Sequence, residues 1–508
     1  MKRIKINSLF LVLLSVVFCT ACDMDKMPQG SLGGDIDFTL QDCRNYRIGL
    51  YTSFRELTTG AFVIYSDIQM DDFHAVSEYT GALNMLYTGN ITPGTELIET
   101  IWAGDYAGIS QANYFFQKIE VMQATTKLTA TEISEVKRYN AEALFMRAFC
   151  YFDLAQRFCA AYSPETAAME YTGMPLVTKY DPTSDNTQYP GRSTLEATYQ
   201  LILDDLEQAL EDMAGYEEKN PENAPYAMSP WITSDVIKAL QARVALTMGD
   251  YETALKKSES LINSSGYALT NNATDLYSFW RDDWGTGEAF WLVTMTRDYT
   301  GSSNGSMFLA NTGDQISFIP TGDVAGLFEK DDIRMKSYLA DRPIKVTLGT
   351  ETVAAFSKYP GNPYLYYNIN TFTNMAKPFR LAEQYLIAAE SAAELAQVSK
   401  ANLYLNNLRK SRIAGYTTKQ YAGARLAEEI QTERRRELLG EGFRMNDLKR
   451  KHKGFQRSKG QKTGLVINKI GNVHLLKYEA DDYRFVWPIP QGEIDTNPQI
   501  KSQQNPGY

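Results

Sequence analysis

Few residues of this 508-residue chain have the types and spacing that catalysis requires. The only histidines are His74, His452 and His474, which form no H-E-x-x-H pair and stand beside no cysteine cluster. Zinc sites and nucleophilic triads depend on such groupings, because several side chains must converge on one reacting atom. We therefore expect a protein that is not an enzyme and that holds neither a metal nor a cofactor.

One serine lies in a pattern typical of a nucleophile. Residues 301–305 read G-S-S-N-G, which matches the sharp turn that presents the nucleophile of an α/β-hydrolase and would assign that role to Ser303. Such a turn needs a strand before it and a helix after it, whereas M-F-L-A-N-T-G-D, beginning at Met307, contains a turn signal. The context favours a polar loop.

An acidic group, Asp67, Asp71 and Asp72, could supply oxygen ligands to Ca²⁺. It lacks the alternating ligands and the fixed glycine of an EF-hand loop. The preferred interpretation is a solvated loop face.

A charged motif runs from Glu433 to Glu437 and continues through Glu441, Gly442 and Arg444. It could bind an anion or take part in catalysis. Opposite charges three and four residues apart stabilise a helix, and glycines allow a tight corner into the next one. We interpret the motif as a salt-bridged latch.

Three irregular stretches, residues 58–98, 266–325 and 340–375, are rich in Gly, Asn, Thr and aromatic residues and are too long for ordinary connections. Aromatic rings can stack on the C–H faces of sugars while neighbouring polar groups fix hydroxyls. Packing of the loops against the helices is the alternative role for each ring. The candidate ligand-binding residues are Phe73, Tyr79, Asn84 and Tyr87, then Trp280, Arg281, Asp283, Trp284 and Tyr299, and finally Tyr364, Tyr366 and Tyr367.

The N-terminus has the features of an export signal. A basic start precedes an apolar run from Leu9 to Phe18 and a small-residue site that ends at Cys22. The apolar run is shorter than the roughly 20 residues of a membrane span, and no other segment approaches that length. Cys22 is the natural site for lipidation, and the Gly- and Pro-punctuated segment after it would act as a flexible tether.

The composition is that of a globular protein, with 44% hydrophobic and 22% charged residues. The 51 basic and 61 acidic side chains give a formal charge of −10. A basic face for a phosphate backbone is not expected, so nucleic acid is excluded as a partner.

The strongest periodic segments are helical and come in pairs, which is typical of a helical repeat. Residues 235–262 form the clearest pair, with a break at Gly249-Asp250, and residues 379–412 form a second. Residues 135–158 and 194–213 are further candidates. We predict a mostly α fold: a tetratricopeptide-like α-α superhelix with long irregular ligand-binding loops and little β structure.

Four blocks of sequence stand out: A-E-A-L-F-M-R-A-F-C-Y-F-D-L-A-Q-R-F (141–158), F-R-L-A-E-Q-Y-L-I-A-A-E (379–390), I-Q-T-E-R-R-R-E-L-L-G-E-G-F-R-M-N-D-L (430–448) and the tail from R-F-V-W-P-I-P (484–508). In this order they resemble the SusD/RagB family and span almost the whole mature chain. The departure is local, since Lys449-Arg450-Lys451 stands where an Arg-Trp pair is common.

The resemblance implies a surface-exposed lipoprotein, anchored through Cys22 to the outer leaflet of a bacterial outer membrane. The expected function is to capture an oligosaccharide as the lid of a SusC-like TonB-dependent transporter, which supplies the energy. A RagB-like lid for peptides is the alternative, which the stretch Y-S-D-I-Q-M-D-D from Tyr65 favours. A tetratricopeptide-type protein–protein scaffold is a second alternative.

The same reasoning divides the chain into segments. We expect a signal peptide at residues 1–21, a tether at 22–36, a SusD-like N-terminal region at 37–230, a tetratricopeptide-like pair with variable loops at 231–330 and a SusD/RagB C-terminal region at 331–508.

Overall fold

Helices make up most of the computed structural model, which describes residues 38–76, 81, 83–264, 266–285, 287–311, 316–346, 349–461 and 474–508. The predicted signal peptide, the tether with Cys22 and the loop residue Tyr79 lie outside the described residues. Residues Leu40–Tyr508 form one compact unit. The helices are α1 (Leu40–Leu57), α2 (Ala61–Gln69), α3 (Asn84–Thr88), α4 (Glu96–Thr125), α5 (Ala130–Phe158), α6 (Pro164–Ala167), α7 (Leu195–Lys219), α8 (Ser234–Met248), α9 (Tyr251–Ile262), α10 (Ala273–Arg281), α11 (Gly322–Ala325), α12 (Arg334–Tyr338), α13 (Leu381–Glu394), α14 (Val398–Arg412), α15 (Gly423–Glu437), α16 (Arg444–Arg450) and α17 (Gln491–Thr496).

The described strands are short and pair two by two in antiparallel ladders. The strands are β1 (Phe73–Ala75), β2 (Phe318–Pro320), β3 (Leu339–Val346), β4 (Gly349–Phe356), β5 (Phe455–Gln456) and β6 (Lys477–Tyr478). β1 pairs with β2 through His74 and Ile319, β3 pairs with β4 through Arg342 and Val353, and β5 pairs with β6. This confirms the prediction of a mostly α protein with little β structure.

Local sequence signals set the predicted break between α8 and α9. The Thr233 side chain accepts from the Val236 N–H at the start of α8, and Gly249 ends that helix with a φ of 77°. Glycine adopts this left-handed conformation without the steric cost that a Cβ brings. The Asp250 side chain then accepts from the Thr253 N–H and begins α9.

Small residues let the paired helices approach closely. α9 packs against both α8 and α13, and α13 packs against α14. The contact between α8, α9 and α13 is built from Ala242, Ala245, Ala254 and Ile387, all buried. α5 packs against α4 and α7 in the N-terminal half. Two of the four predicted segments, residues 235–262 and 379–412, are confirmed as helical pairs. The prediction of a pair within residues 135–158 and within 194–213 is wrong, because each lies in one continuous helix, α5 or α7.

The motif at Glu433–Glu437 forms salt bridges, but mostly across the fold rather than along its helix. Glu433 pairs with Arg436 three residues away, whereas Glu437 pairs with Arg334, Arg380 and Arg412 from other elements. We call the buried ionic group around it the charged core. Its members are Glu288, Asp332, Arg334, Lys358, Arg380, Arg412, Glu433, Glu437 and Glu441.

The charges of this core are mutually compensated. Burial alone would raise the pKa of Glu437, but the adjacent Arg412, Arg380 and Arg334 hold that pKa well below its usual value. Burial lowers the pKa of Lys358 to about 8, an effect that Glu441 partly offsets. The predicted latch thus consists of tertiary salt bridges that join α12, α14 and the residue before α13 to α15.

Asp67, Asp71 and Asp72 are buried, so the interpretation as a solvated loop face is wrong. The Asp71 carboxylate accepts hydrogen bonds from Nε and Nη2 of Arg444, each at 2.8 Å, and Asp72 pairs with Arg435 at 2.7 Å. Burial raises the pKa of Asp67 to about 8, with the Asp72 charge adding to the effect. These carboxylates join α2 to α15 and α16 instead of facing solvent.

No helix of the described chain is long and apolar enough to cross a membrane.

Candidate functional site

Three of the predicted ligand-binding rings belong to the core, which corrects the sequence prediction. Phe73 and Tyr87 are fully buried and Trp280 is 2% exposed. Phe73 packs on Phe308 with ring centroids 4.6 Å apart, and the Tyr87 ring lies 4.0 Å from the Arg457 guanidinium. These side chains stabilise the loops from inside.

Four other rings are exposed on the same loops. Trp284 is 76% exposed and Tyr299 is 70% exposed, while Tyr364 and Tyr367 are 73% and 68% exposed. We call these four residues the aromatic surface. Tyr366 is half-buried between two of them. Large aromatic rings that are exposed in this way take no part in the core and are available for stacking on a ligand.

Asp283, predicted as a ligand contact, instead holds the loops together. It is buried and its φ is 54°, a left-handed conformation that is uncommon for a residue with a Cβ. Its carboxylate accepts from the Asn362 amide at 2.8 Å, from the Met375 N–H at 2.9 Å and from the Lys377 ammonium at 2.5 Å. The turn that carries Trp284 is therefore fixed against the loop that carries Tyr364.

Further hydrogen bonds join residues 298–303 to the loop that carries Tyr364 and Tyr367. The Ser303 hydroxyl donates to the Phe372 carbonyl at 2.6 Å, which gives it a structural role in the polar loop predicted there. The Tyr367 hydroxyl donates to Asp298 at 2.9 Å, and the Arg297 guanidinium lies 4.5 Å from the Tyr367 ring. The segments that carry Trp284, Tyr299 and the two tyrosines are thus joined to one another by hydrogen bonds.

Two polar candidates have different surroundings. Arg281 ends α10 and pairs with its neighbour Asp282 at 2.5 Å, with its side chain 40% exposed. Asn84 is half-buried at the start of α3. Only Arg281 belongs to the loops of the aromatic surface, three residues before Trp284.

The sequence analysis missed the amides that position the rings. Asn362 bonds Asp283, and the Asn374 amide donates to the Trp280 carbonyl at 2.8 Å. Asn370 donates to the Pro360 carbonyl at 2.8 Å. The signal that could have found them is the density of Asn and Tyr between residues 359 and 376.

Away from the aromatic surface, a concavity of about 860 Å³ lies between α4, the loop at residues 175–190 and α17. Its lining includes Trp102, which is 5% exposed, and Tyr106, whose hydroxyl donates to the Pro175 carbonyl at 2.8 Å. Trp102 is thus buried, and the Tyr106 hydroxyl is already bonded within the protein. The aromatic surface is therefore the stronger candidate.

Metal binding has no support among the described residues, which contain no group of three or more His, Cys, Asp or Glu side chains placed to hold an ion. The aromatic surface offers rings, amides and hydroxyls, and such groups bind by stacking and hydrogen bonding.

Two family models match the chain. The model of the SusD family matches residues 345–508, and a model described as "Starch-binding associating with outer membrane" matches residues 44–227. Among curated proteins, SusD-like protein P38 of Formosa agariphila is 23% identical over an alignment that covers 100% of both chains.

Solved structures of SusD superfamily and SusD-like proteins have a similar fold. A SusD superfamily protein from Bacteroides thetaiotaomicron VPI-5482 has a TM-score of 0.77 at 26% identity and covers 92% of this chain and 100% of its own. A laminarin-binding SusD-like protein has a TM-score of 0.68 at 19% identity, covering 92% of this chain and 99% of its own. The fold and the site define a mostly α protein whose long loops present exposed aromatic rings. The chain is a SusD-like protein.

Proposed function

We propose that this protein binds oligosaccharides at the aromatic surface. The observation that carries the proposal is the exposure of four rings, Trp284, Tyr299, Tyr364 and Tyr367, on loops that hydrogen bonds join to one another. The buried Asp283 holds the turn of Trp284 against the loop of Tyr364, and the Tyr367 hydroxyl bonds Asp298 beside Tyr299. Rigid rings lose little conformational entropy on stacking against a sugar, so a prepositioned cluster is suited to a glycan. The family model described as starch-binding and the laminarin-binding structural relative support the same ligand class.

The proposed location is the outer face of the outer membrane, with the chain held by a lipid on Cys22. The name of the N-terminal family model supports association with the outer membrane. The proposed partner is a SusC-like TonB-dependent barrel, over which the protein closes as a lid. The barrel supplies the energy, so binding and release are the only steps that this chain performs.

Glycan binding is tested by calorimetric titration of residues 23–508 against a panel of oligosaccharides, with mixed peptides alongside. Trp284→Ala should weaken binding about tenfold or more, as expected for a central aromatic contact. Tyr226→Ala is a matched control, because Tyr226 is an exposed aromatic residue on a different segment, between α7 and α8. If the heat of oligosaccharide binding is unchanged in Trp284→Ala, this site would be contradicted.

Heat from peptides alone would favour the RagB-like alternative. The stretch beginning at Tyr65, which favours peptides in the sequence, gives that alternative little structural support. Residues 66–72 are buried in and after α2, where a peptide ligand has no access.

The anchor and the partner need a separate experiment. We expect Cys22→Ala to release the protein from outer-membrane fractions, and we expect the wild-type protein to co-purify with a TonB-dependent barrel after mild detergent extraction. If Cys22→Ala stays in the membrane fraction although no barrel is bound to it, the lipid anchor would be contradicted. If the wild-type protein co-purifies with no barrel, the scaffold alternative would be favoured.

A further inference from the structure

We infer that the aromatic surface selects uncharged oligosaccharides over anionic ones, such as those that carry uronate or sulfate groups. The inference rests on the proposed function and specifies its ligand class.

The first observation is a stretch without charge. Residues 359–376 contain no Asp, Glu, Lys, Arg or His, although 22% of the chain is charged. This stretch supplies Tyr364 and Tyr367, two of the four rings of the aromatic surface. The groups that it offers a ligand are rings, amides, hydroxyls and backbone, which recognise sugar hydroxyls but provide no countercharge.

The two charges that flank this stretch are buried and paired. Lys358 is fully buried and pairs with Glu441 at 2.5 Å, and Lys377 is 5% exposed and pairs with Asp283 at 2.5 Å. Each ammonium group is therefore neutralised inside the protein. Neither is available to an acidic sugar at the surface.

The exposed charges around the rings are balanced. Arg281 pairs with Asp282, and Arg297 lies over the Tyr367 ring whose hydroxyl bonds Asp298. α1 adds one residue of each sign, since Arg55 donates to the Tyr299 carbonyl at 3.2 Å and Glu56 accepts from the Ser302 hydroxyl at 3.2 Å.

These contacts bring equal numbers of guanidinium and carboxylate groups to the described part of the surface. An anionic glycan would meet no local excess of positive charge, and it would approach a protein with a formal charge of −10. A neutral glycan meets no such repulsion.

Asn368 is the position from which to reduce this selectivity. It is exposed between Tyr367 and the 70% exposed Ile369, and the structure records no hydrogen bond from its side chain. The other amides of the stretch, Asn362, Asn370 and Asn374, are engaged within the loops. Asn368 is therefore free to meet a sugar hydroxyl, and a lysine there would place a positive charge beside the ring of Tyr367.

The test uses oligosaccharides in matched pairs that differ only in charge: uronate oligomers with their carboxyl-reduced forms, and sulfated oligomers with their desulfated forms. Calorimetric titration of residues 23–508 should give tighter binding to the neutral member by about tenfold at low salt. Trp284→Ala should weaken binding of the neutral member about tenfold or more and reduce the preference with it. Added salt should change neutral binding little, because no charge pair is formed.

Asn368→Lys should raise the affinity for the anionic member about fivefold at low salt and leave the neutral member nearly unchanged. Gln208→Lys is the matched control, because it changes the net charge equally from an exposed position on α7, a helix that packs against α5 and α8. An equal gain from both variants would mean that the net charge of the protein, and not the local surface, sets the preference.

The outcomes separate the two proposals. Binding of the anionic member as tightly as the neutral one, lost in Trp284→Ala, overturns the inference and leaves glycan binding at this surface intact. Binding that does not depend on Trp284, or no binding to any oligosaccharide, overturns both.

Discussion

Trp280 and Trp284 lie four residues apart and have opposite environments. Trp280 is 2% exposed, with Lys358 4.5 Å from its ring, whereas Trp284 is 76% exposed. Asp283, between them, is buried and hydrogen-bonded. The same loops therefore have an inner side made of charges and buried rings and an outer side made of neutral exposed rings. Changes on the inner side should alter stability, and changes on the outer side should alter binding.

The largest effect on the inner side should come from Glu437→Gln in the charged core. The substitution leaves the buried guanidinium groups of Arg380 and Arg412 with less negative charge. Removing one partner of a buried ionic group costs about 3–5 kcal/mol of unfolding free energy, measured by chemical denaturation.

Glu428→Gln is the matched control on the same helix, because Glu428 pairs with Arg425 at the surface with both side chains more than 60% exposed. Its cost should stay within about 0.5 kcal/mol. Similar losses for the two variants would contradict the structural role of the charged core.

Trp280→Ala should lower the unfolding free energy by about 3 kcal/mol, because it removes a large buried ring and leaves a cavity. Trp284→Ala should change it by less than about 0.5 kcal/mol, because the ring is solvated in the folded state. Thermal and chemical denaturation of the two variants side by side would test the contrast. A large loss of stability in Trp284→Ala would assign that ring to packing.

A smaller effect should appear as a pH dependence on the inner side. His74 is fully buried, and burial lowers its pKa from 6.5 to about 4. The unfolded chain therefore takes up the proton first as the pH falls, so the stability contributed by neutral His74 is present above pH 6.5 and is lost on acidification.

Between about pH 7 and about pH 5, wild type should lose about 2 kcal/mol relative to His74→Gln. Denaturation of both proteins in the same buffers measures this difference, because the other titrating groups are shared. A constant difference between the two proteins across this range would contradict the assignment.

The smallest effect belongs to the outer side. Tyr364→Ala should weaken oligosaccharide binding by about 1 kcal/mol, the worth of one stacking contact, while leaving the melting temperature unchanged. Titration and thermal unfolding of the same sample would test both expectations. A loss of stability without a loss of affinity would place Tyr364 on the inner side of the comparison.

Much of the fold could be predicted because its signals are local. The break at Gly249-Asp250 follows from glycine conformation and aspartate capping within a few residues. The spacing of small and apolar residues marks the helices in the same way. The charged motif at Glu433–Glu437 was recognised as ionic, yet most of its partners lie in α12, in α14 and just before α13, which no spacing along one helix can reveal.

The candidate site was only partly predictable, because composition does not show the direction of a side chain. Trp280 and Trp284 looked equivalent in the sequence, and the structure separates them completely. Asp67, Asp71 and Asp72 looked like a solvated loop, but Arg435 and Arg444 cover them from more than 360 residues away along the chain.

The amino-acid sequence by itself determined the helices, the long neutral loop stretch and the SusD-like character of the chain, since these depend on local pattern and on ordered motifs. Only the tertiary structure decided which rings are exposed, which charges are neutralised internally and which loops meet. Burial is a property of contacts between distant segments, and the free energy of a charge or a ring depends on whether those contacts exclude water.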